Sequence, residues 1–340
     1  MKTEDFDYEL DESLIAQTPN KNRDESKLMI LERQTGLIKH EVFSNIVNYL
    51  TPNDVLVINN TKVLPARIVG VKEDTGAVIE LLLLRNIDND DWEVLVKPAK
   101  RINVDTIVKF SDKLSAKCIS KKTDGIAVFK LIYDGILMEI LEGLGTMPLP
   151  PYIKEQLADS ARYQTVYAKN IGSAAAPTAG LHFTPDLLEQ IKALGVVVLE
   201  VTLHVGIGTF RPVSVSDVTS HKMHEEFYEI TTDVAHKLTD YKNQGKNIIA
   251  VGTTTTRVLE ANFNKNNAFT AETSATDIFI YPGYKFRAID GLITNFHLPK
   301  STLLMLVSAL ASKEIIMNAY QTATDTKYRF FSFGDAMFIK

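Results

Sequence analysis

A block of short, β-rich segments from Thr61 to Tyr133 constrains the fold more than any other feature of the sequence. The block contains the runs VIELLLL, DWEVLV, TIVKF and GIAVFKLIY, separated by Asp, Asn, Lys and Gly. Val, Ile and aromatic residues favour strands, and the separating residues favour turns. Because no amphipathic helical pattern interrupts these runs, the block predicts a small antiparallel sheet or barrel.

The sequence on either side of this block alternates between helical and strand patterns. A buried strand, VLVIN, precedes the block, and helical segments come before the later strands VVVLEVTLHV, NIIAVGT and TDIFIY. Continuous Val and Ile strands flanked by helices are typical of a sheet that is covered on both faces. We therefore predict an α/β fold, with a main α/β domain formed by residues 1–60 and 146–340. A small antiparallel β-barrel domain is predicted to be inserted at residues 61–145.

Charge is distributed unevenly along the chain. The 340 residues include 37 Lys and Arg and 42 Asp and Glu, a net charge of −5. The stretch from Lys97 to Lys122 holds eight basic and two acidic residues, a local net charge of +6, which leaves −11 for the rest. Lysine favours exposed sheet edges, so a solvated face is one interpretation of this stretch. A surface that contacts nucleic-acid phosphates is the other.

The cysteine count and the hydropathy pattern limit where the chain acts. Cys118 is the single cysteine, which excludes an intramolecular disulfide or a thiolate zinc cluster within the chain. The chain starts with an acidic segment rather than a secretory signal. Its most apolar stretch, from Leu303 to Ala311, is shorter than the ~20 residues that span a bilayer. We expect a cytoplasmic protein without membrane association.

Two strings rich in small residues are candidates for ligand contact. Small residues predominate from Gly172 to Gly180, so backbone amides there could approach a ligand closely, although an ordinary loop is an alternative. Aromatic residues beside this stretch, including Tyr167, favour a site that stacks a base. In LHVGIGTFRPV, His204 ends an apolar strand directly before a glycine-rich turn. Such strand ends carry reactive groups in α/β folds, whereas a single histidine is more often structural.

Two later strings combine hydroxyl, charged and aromatic residues. VGTTTTRVLE follows a predicted strand and begins a predicted helix, so its hydroxyls, amides and Arg257 could bind a carboxylate or phosphate. Simple capping by threonine is the alternative. The stretch from Thr276 to Ala311 gathers polar and aromatic groups around two turns, and these favour a functional site: Asp277, Tyr281, Tyr284, Arg287, Asp290, Asn295, His297 and Lys300.

One further histidine-rich segment is a weak candidate for a metal site. His221, His224 and Glu225 lie close together in sequence, but no partner cluster accompanies them. A polar surface turn is the preferred interpretation, and we expect no metal site.

Together these strings resemble one protein family. The resemblance extends in family order from Leu14 to Ile339, through LIAQTP, RDESKLMIL, NNTKVLPARI, GTMPLPPYI, RYQTVYAK, GSAAAPTAGLHFT, LHVGIGTFRPV, GTTTTRVLE, DIFIYPGYKFRAIDGLITNFHLPKSTLLMLVSA and FGDAMFI. The family is that of the S-adenosylmethionine:tRNA ribosyltransferase-isomerases of queuosine biosynthesis. Where the family usually has serine and valine, this chain has Thr255 and Thr256. A hydroxyl is therefore retained at the serine position.

The resemblance implies an α/β domain with an inserted β-barrel, and it implies an activity. The ribosyl group of S-adenosylmethionine moves onto the aminomethyl group of 7-aminomethyl-7-deazaguanine at the tRNA wobble position. It then rearranges to an epoxycyclopentane, which gives epoxyqueuosine-tRNA and releases adenine and methionine. No metal or redox cofactor is implied, because the sulfonium itself activates the substrate. We expect a monomer with no obligate protein partner.

This reaction needs acid–base groups and substrate contacts. A base must take a proton from the ribose carbon beside the sulfonium, and adenine must leave with a proton. We assign these duties to His204, His297 and Asp290, without deciding which is acid and which is base. Substrate contacts are assigned to Gln164, Tyr167, His182, Thr253, Thr254, Arg257, Asp277, Tyr281 and Lys300. Contacts with tRNA phosphates are assigned to Lys97, Lys100, Arg101 and Lys122.

Within the substrate set, three specific roles are predicted. Thr253, Thr254 and Arg257 hold the methionine carboxylate, Asp277 binds the ammonium group or ribose hydroxyls, and Tyr281 stacks on adenine. Two other classes of function stay open: a non-catalytic RNA-binding module, and a methyltransferase that uses S-adenosylmethionine. The first leaves the polar loops unexplained, and the second lacks its glycine-rich fingerprint.

Overall fold

The structure is a computed structural model that describes residues 1–155, 157–206, 213 and 215–340. It divides into two compact units. The first unit comprises Met1–Thr61, Pro151–Asn170 and Pro177–Lys340, and the second comprises Lys62–Pro150 and Ile171–Ala176. The predicted fold class, an α/β domain with an inserted antiparallel barrel, is confirmed.

The strands in chain order are β1 (Lys27–Leu31), β2 (Ile38–Val42), β3 (Asp54–Asn59), β4 (Thr61–Val63), β5 (Arg67–Lys72), β6 (Val78–Asp88), β7 (Asp91–Lys97), β8 (Ile107–Lys109), β9 (Leu114–Lys121), β10 (Ile126–Tyr133), β11 (Asn170–Ser173), β12 (Val197–Leu203), β13 (Glu226–Ile230), β14 (Asn247–Val251), β15 (Glu272–Thr276), β16 (Gly291–Asn295) and β17 (Ala336–Ile339). The α-helices are α1 (Leu137–Leu144), α2 (Pro185–Ala193), α3 (Thr232–Asn243), α4 (Thr253–Asn266), α5 (Thr302–Ala311) and α6 (Lys313–Asp325). Short 3-10 turns lie between them.

A nine-stranded sheet organises the first unit, with the order β15-β13-β12-β3-β14-β16-β17-β1-β2. The four central strands β12, β3, β14 and β16 are parallel to one another. Every residue of β3 and β16 is buried, as expected for strands covered on both faces. Because the four strands run in the same direction, the residues that follow them share one edge of the sheet. We call this the carboxyl edge.

Local sequence signals explain where helix α2 starts and stops. The Thr184 hydroxyl accepts a hydrogen bond from the Leu187 amide at 3.1 Å, and Pro185 occupies the first helical position. After the helix, Gly195 adopts φ +87°, a left-handed conformation that favours glycine. The chain can therefore turn directly into β12, whose carboxyl end carries His204.

The predicted strand from Thr276 to Tyr281 is wrong in position. The strand β15 instead ends at Thr276, where its pairing with β13 stops at Glu226. Beyond that point the Ile278 carbonyl accepts a hydrogen bond from Arg257 Nε at 3.2 Å. The segment's polar backbone is thus bonded to a side chain rather than to a neighbouring strand, which sequence periodicity does not reveal.

The second unit contains a closed barrel of six strands in the order β10-β7-β6-β5-β8-β9, with every pairing antiparallel. Inward-facing residues alternate with outward-facing ones, so Leu114, Ala116 and Cys118 of β9 are all buried. The side chains of these inward positions fill the barrel. Cys118 is fully buried there, and burial raises the pKa of its thiol.

No single helix in the described ranges is long and apolar enough to cross a membrane. Helices α5 and α6 reach that length and composition only together, across a bend of 116°.

Candidate active site

The carboxyl edge brings together most of the residues that the sequence singles out. Asn59 ends β3, His204 follows β12, Gly252 follows β14, and His297 lies two residues beyond β16. Open α/β sheets bind ligands at this edge, because loops there can present side chains and free amides. The site is therefore built from four strand ends that are far apart in sequence.

His204 has one ring nitrogen fixed and one open. Its Nδ1 lies 2.9 Å from the Thr61 hydroxyl, which donates its own proton to the Asn170 carbonyl at 3.4 Å. In the tautomer in which this hydroxyl accepts from Nδ1–H, Nε2 keeps its lone pair. Nε2 has no hydrogen-bond partner within the described part of the chain. Partial burial lowers the pKa of His204, so the imidazole is neutral at pH 7.

Two asparagines pin the strand end that carries His204. Asn59 Nδ2 donates to the Leu203 carbonyl at 3.0 Å, and the Leu203 amide donates to Asn59 Oδ1 at 3.1 Å. Asn60 accepts from the Thr202 hydroxyl at 2.8 Å. These bonds hold β12 against the end of β3, so the position of His204 is fixed by its neighbours rather than by a flexible loop.

The first turn of α4 is built to receive an anion. Gly252 precedes the helix at φ +90°, and among the described residues no side chain caps its first amides. The hydroxyls of Thr255 and Thr256 donate back to carbonyls of Val251 and Gly252, at 2.7 and 3.2 Å. Thr254 differs, because its hydroxyl is buried and has no partner in the described ranges. Free amides and a free hydroxyl at a helix N-terminus favour a carboxylate or phosphate.

Arg257 faces away from solvent and is held by groups of this chain. It forms a buried ion pair with Glu226, and both residues are only 4% exposed. The other oxygen of Glu226 accepts from the Gly206 amide at 3.0 Å. The predicted role of Arg257 as a carboxylate ligand stays a prediction, and Glu226 would have to compete with the substrate for it. The geometry favours Arg257 as a positioning residue that links α4 to the segment after His204.

Glu226, the buried partner of Arg257, is not among the residues that the sequence motifs single out. It is the first residue of β13, whose burial alternates so that Glu226, Tyr228 and Ile230 face inward. A glutamate in the inward register of a strand is an available signal, because a buried charge requires a partner. The remainder of the LHVGIGTFRPV string, residues 207–212, lies outside the described residues.

His182 is buried and fully bonded. Asn295 Nδ2 donates to its Nε2 at 3.1 Å, and Nδ1 bonds to the Ser26 hydroxyl at 2.8 Å. Its ring stacks on Phe43 at 4.9 Å. Burial, together with the positive charges of Arg23 and Arg329, lowers its pKa to about 3. Its predicted substrate contact stays a prediction, while its observed contacts fix the turn Thr178–His182 on the carboxyl edge.

His297 is buried within the loop that follows β16. Its Nε2 lies 2.9 Å from the Thr294 hydroxyl, and burial lowers its pKa to about 3. Its backbone carbonyl accepts from the Tyr8 hydroxyl at 2.5 Å, and its amide donates to Tyr320 at 2.9 Å. Three residues on, Lys300 pairs with two acidic side chains, Glu4 at 2.8 Å and Asp7 at 3.0 Å. The N-terminal segment thus covers this loop.

The remaining substrate candidates differ in exposure. Tyr167 is buried, and burial raises its pKa. A side chain at Gly180 would place Cβ 2.0 Å from the Tyr167 hydroxyl, so this close approach requires glycine. Gln164 is half-buried, Asp277 is exposed directly after β15, and half-buried Tyr281 packs against Phe279 with ring centres 5.0 Å apart.

Asp290 is not brought together with the histidines. It immediately precedes β16, so it lies at the amino end of the parallel strands, whereas His204 and His297 lie beyond the carboxyl ends. Its carboxylate accepts from the Ile248 amide at 2.9 Å and pairs with Lys242 at 3.3 Å. The five-residue strand between the two edges is about 16 Å long. We therefore remove Asp290 from the acid–base set, because a proton cannot be transferred over that distance in one step.

The four predicted tRNA-contact residues lie at one end of the barrel in the second unit. Lys97 ends β7, Lys100 and Arg101 belong to the next turn, and Lys122 begins the β9–β10 hairpin. All four are exposed. Lys122 pairs with Glu93, while the other three have no ion-pair partner among the described residues. Across the described residues, no group of three or more His, Cys, Asp or Glu side chains is arranged to hold a metal ion.

Comparison with known proteins gives a consistent result over the whole chain. A family model described as "Queuosine biosynthesis protein" matches residues 3–339. The S-adenosylmethionine:tRNA ribosyltransferase-isomerase of Macrococcus caseolyticus is 59% identical over 340 residues, and that of Staphylococcus aureus is 58% identical, with both chains of each pair fully covered.

A solved structure agrees with the sequence relatives. It is the S-adenosylmethionine tRNA ribosyltransferase of Thermotoga maritima, which is 38% identical, with a TM-score of 0.57. The match covers 99% of this chain and 100% of that one. From the extent of these matches, this chain belongs to the S-adenosylmethionine:tRNA ribosyltransferase-isomerase family of queuosine biosynthesis, and it is an enzyme of the transferase and isomerase class.

Proposed function

We propose that the enzyme transfers and isomerises the ribosyl moiety of S-adenosylmethionine onto 7-aminomethyl-7-deazaguanine at the wobble position of tRNA. The products are epoxyqueuosine-tRNA, adenine and methionine. Its substrates are thus S-adenosylmethionine and a tRNA that carries the modified base. The enzyme acts as a cytoplasmic monomer and needs no further cofactor, because the sulfonium activates the adjacent ribose carbon and provides the leaving group.

The observation that carries this proposal is the open Nε2 of a neutral His204 at the carboxyl edge of the sheet. A neutral imidazole with a free lone pair is a competent base near pH 7. His204 therefore takes the proton from the ribose carbon beside the sulfonium. His297 is also neutral but is buried against Thr294, so it supports the site by holding the loop in place.

The methionine part of the substrate is anchored at α4. Its carboxylate accepts hydrogen bonds from the first amides of the helix and from the Thr254 hydroxyl, which is buried with no partner among the described residues. Arg257 acts as a positioning residue, because its buried pair with Glu226 holds the first turns of α4 against β13. Asp277, exposed at the end of β15, is available to the ammonium group or the ribose hydroxyls, and Tyr281 to the adenine ring.

Replacing Thr254 by valine tests this anchor. A hydrogen bond to a charged group contributes about 1.5–3 kcal/mol, so the KM for S-adenosylmethionine should rise ~10-fold or more. The change in kcat should be small, because the contact is made equally in the ground state and the transition state. Steady-state kinetics at saturating tRNA measure both constants.

The matched control for this substitution is Thr256→Val. Among the described residues the Thr256 hydroxyl bonds to the helix's own Gly252 carbonyl, and the family resemblance implies valine at this position. We expect its KM to stay at the wild-type value. Equal KM values for the two variants would show that the carboxylate does not lie at Thr254.

A further inference from the structure

A cavity of about 180 Å³ opens at one end of the barrel. It lies between the turn Ala99–Arg101, which follows β7, and the hairpin that joins β9 to β10. Gly125 in that hairpin adopts φ +79°, and a Cβ there would lie 3.7 Å from Ala99 Cβ. Glycine is therefore favoured here by the backbone conformation, while the distance to Ala99 is an ordinary van der Waals contact.

The walls of this barrel cavity are apolar and its rim is basic. Val96, Ile102 and Ala127 line it and are almost completely buried. Lys100 and Lys122 stand at the rim, and both are exposed. None of the described residues that line the cavity is acidic. An anionic ligand with a flat apolar part complements this arrangement better than a cation or a sugar.

The ion pairs of the two rim lysines determine whether their ammonium groups can bind a phosphate. Lys100 has no ion-pair partner within the described ranges, so its ammonium group is available to a phosphate. Lys122 pairs with Glu93, which also lies 3.8 Å from Arg85. Glu93 therefore keeps a second cationic partner if Lys122 turns toward a phosphate at the cavity mouth.

The volume of the barrel cavity limits which part of a ligand can enter it. The volume of about 180 Å³ is well above the ~10–15 Å³ that one water molecule needs. That space suits one nucleobase but is smaller than the ~300–1,000 Å³ of pockets for drug-sized ligands. Sequence-specific proteins recognise single-stranded RNA in this way, by inserting an unstacked base beside phosphate contacts.

We propose that this barrel cavity receives one unstacked nucleotide of the tRNA substrate, other than the nucleotide that is modified. Its base packs against the partly exposed Ala99 and Ile126 at the cavity mouth, and its flanking phosphates contact Lys100 and Lys122. The inference rests on the proposed function for the identity of the RNA. It extends that function, because it predicts that the barrel binds a base as well as the charged backbone.

Filling the cavity without changing charge tests the proposal. Ala99→Phe should raise the dissociation constant for tRNA severalfold, because the added ring occupies the space that the base would enter. The KM for S-adenosylmethionine should not change. The control is Ala77→Phe, which adds the same ring in the turn between β5 and β6, outside the cavity. Equal tRNA affinity in the two variants would overturn the proposal.

A second pair of variants tests the rim without adding bulk. Lys100→Ala should weaken tRNA binding and lower the slope of log K against log salt by about one, whereas Ala99→Phe should leave that slope unchanged. Lys130→Ala, on the exposed face of β10, is the control and should have no effect. A Lys100→Ala variant with wild-type affinity and salt dependence would show that Lys100 does not contact a phosphate, and it would refute the proposal.

Direct binding separates this inference from the proposed function. The tRNA affinity is measured by fluorescence anisotropy, with circular dichroism to confirm that each variant is folded. Absence of adenine release by the wild-type enzyme would refute the proposed function. Wild-type turnover together with an unaltered tRNA affinity of Ala99→Phe would refute nucleotide binding in the barrel cavity but not the proposed function.

Discussion

Replacing His204 by glutamine is expected to lower kcat for adenine release by about 10²–10⁴-fold, the usual contribution of a positioned general base. Glutamine retains a polar side chain near the Thr61 hydroxyl but cannot accept a proton from carbon at neutral pH. The affinity for S-adenosylmethionine should stay close to that of the wild type. Single-turnover adenine release and equilibrium binding measure the two effects separately.

The control for this variant is His236→Gln. His236 is exposed on α3, away from the carboxyl-edge loops, and should have wild-type kinetics. A His204→Gln enzyme with near-normal kcat would assign the base to another group, and His297 would be the next histidine to replace.

The pH dependence follows from the same residue. The neutral imidazole is the active form, so the rate falls as the pH drops through the pKa of His204. Burial lowers that pKa below its usual value of 6.5, and the charge of Glu229 opposes the shift only in part. The acid limb of the kcat/KM profile should therefore lie below pH 6.5. An acid limb above this value would contradict a buried neutral base.

Replacing Arg257 by methionine is expected to destabilise the fold by ~3–5 kcal/mol, because it leaves the buried carboxylate of Glu226 without its partner. The same loss is expected for Glu226→Gln, which leaves the guanidinium unpaired. Urea unfolding followed by circular dichroism measures the change in the free energy of unfolding.

The double variant Glu226→Gln/Arg257→Met distinguishes a structural pair from a substrate ligand. With both charges removed, stability should return to within about 1–2 kcal/mol of the wild type, since neither charge is left buried alone. An additive loss in the double variant would mean that the two residues do not act as a pair. Unchanged stability in Arg257→Met would instead favour its direct role at the substrate carboxylate.

The parallel strands β3, β12 and β14 could be predicted from hydrophobic periodicity, and so could the inserted barrel, whereas β13 and β17 were not predicted. The positions of His204 and Thr254 could also be predicted, because His204 directly follows an apolar strand and Thr254 lies three residues after one. The prediction that Asp290 acts with His297 was wrong, because the two residues lie at opposite ends of strand β16. Proximity in sequence does not say which edge of a sheet a residue occupies.

The partners of buried polar groups could not be predicted. Arg257 and Glu226 are 31 positions apart and meet only because β13, β15 and α4 pack together. His182 and Ser26 are separated by 156 positions. Such pairs depend on tertiary packing. A single sequence shows a polar residue at an inward position, but it does not show the partner of that residue.

Product analysis of the wild-type enzyme with S-adenosylmethionine and tRNA that carries 7-aminomethyl-7-deazaguanine tests the proposed reaction most directly. Adenine and methionine are quantified by chromatography, and the modified nucleoside by mass spectrometry after digestion of the tRNA. We expect equal amounts of adenine, methionine and epoxyqueuosine, formed only when the modified tRNA is present. Formation of S-adenosylhomocysteine with no adenine release would contradict it.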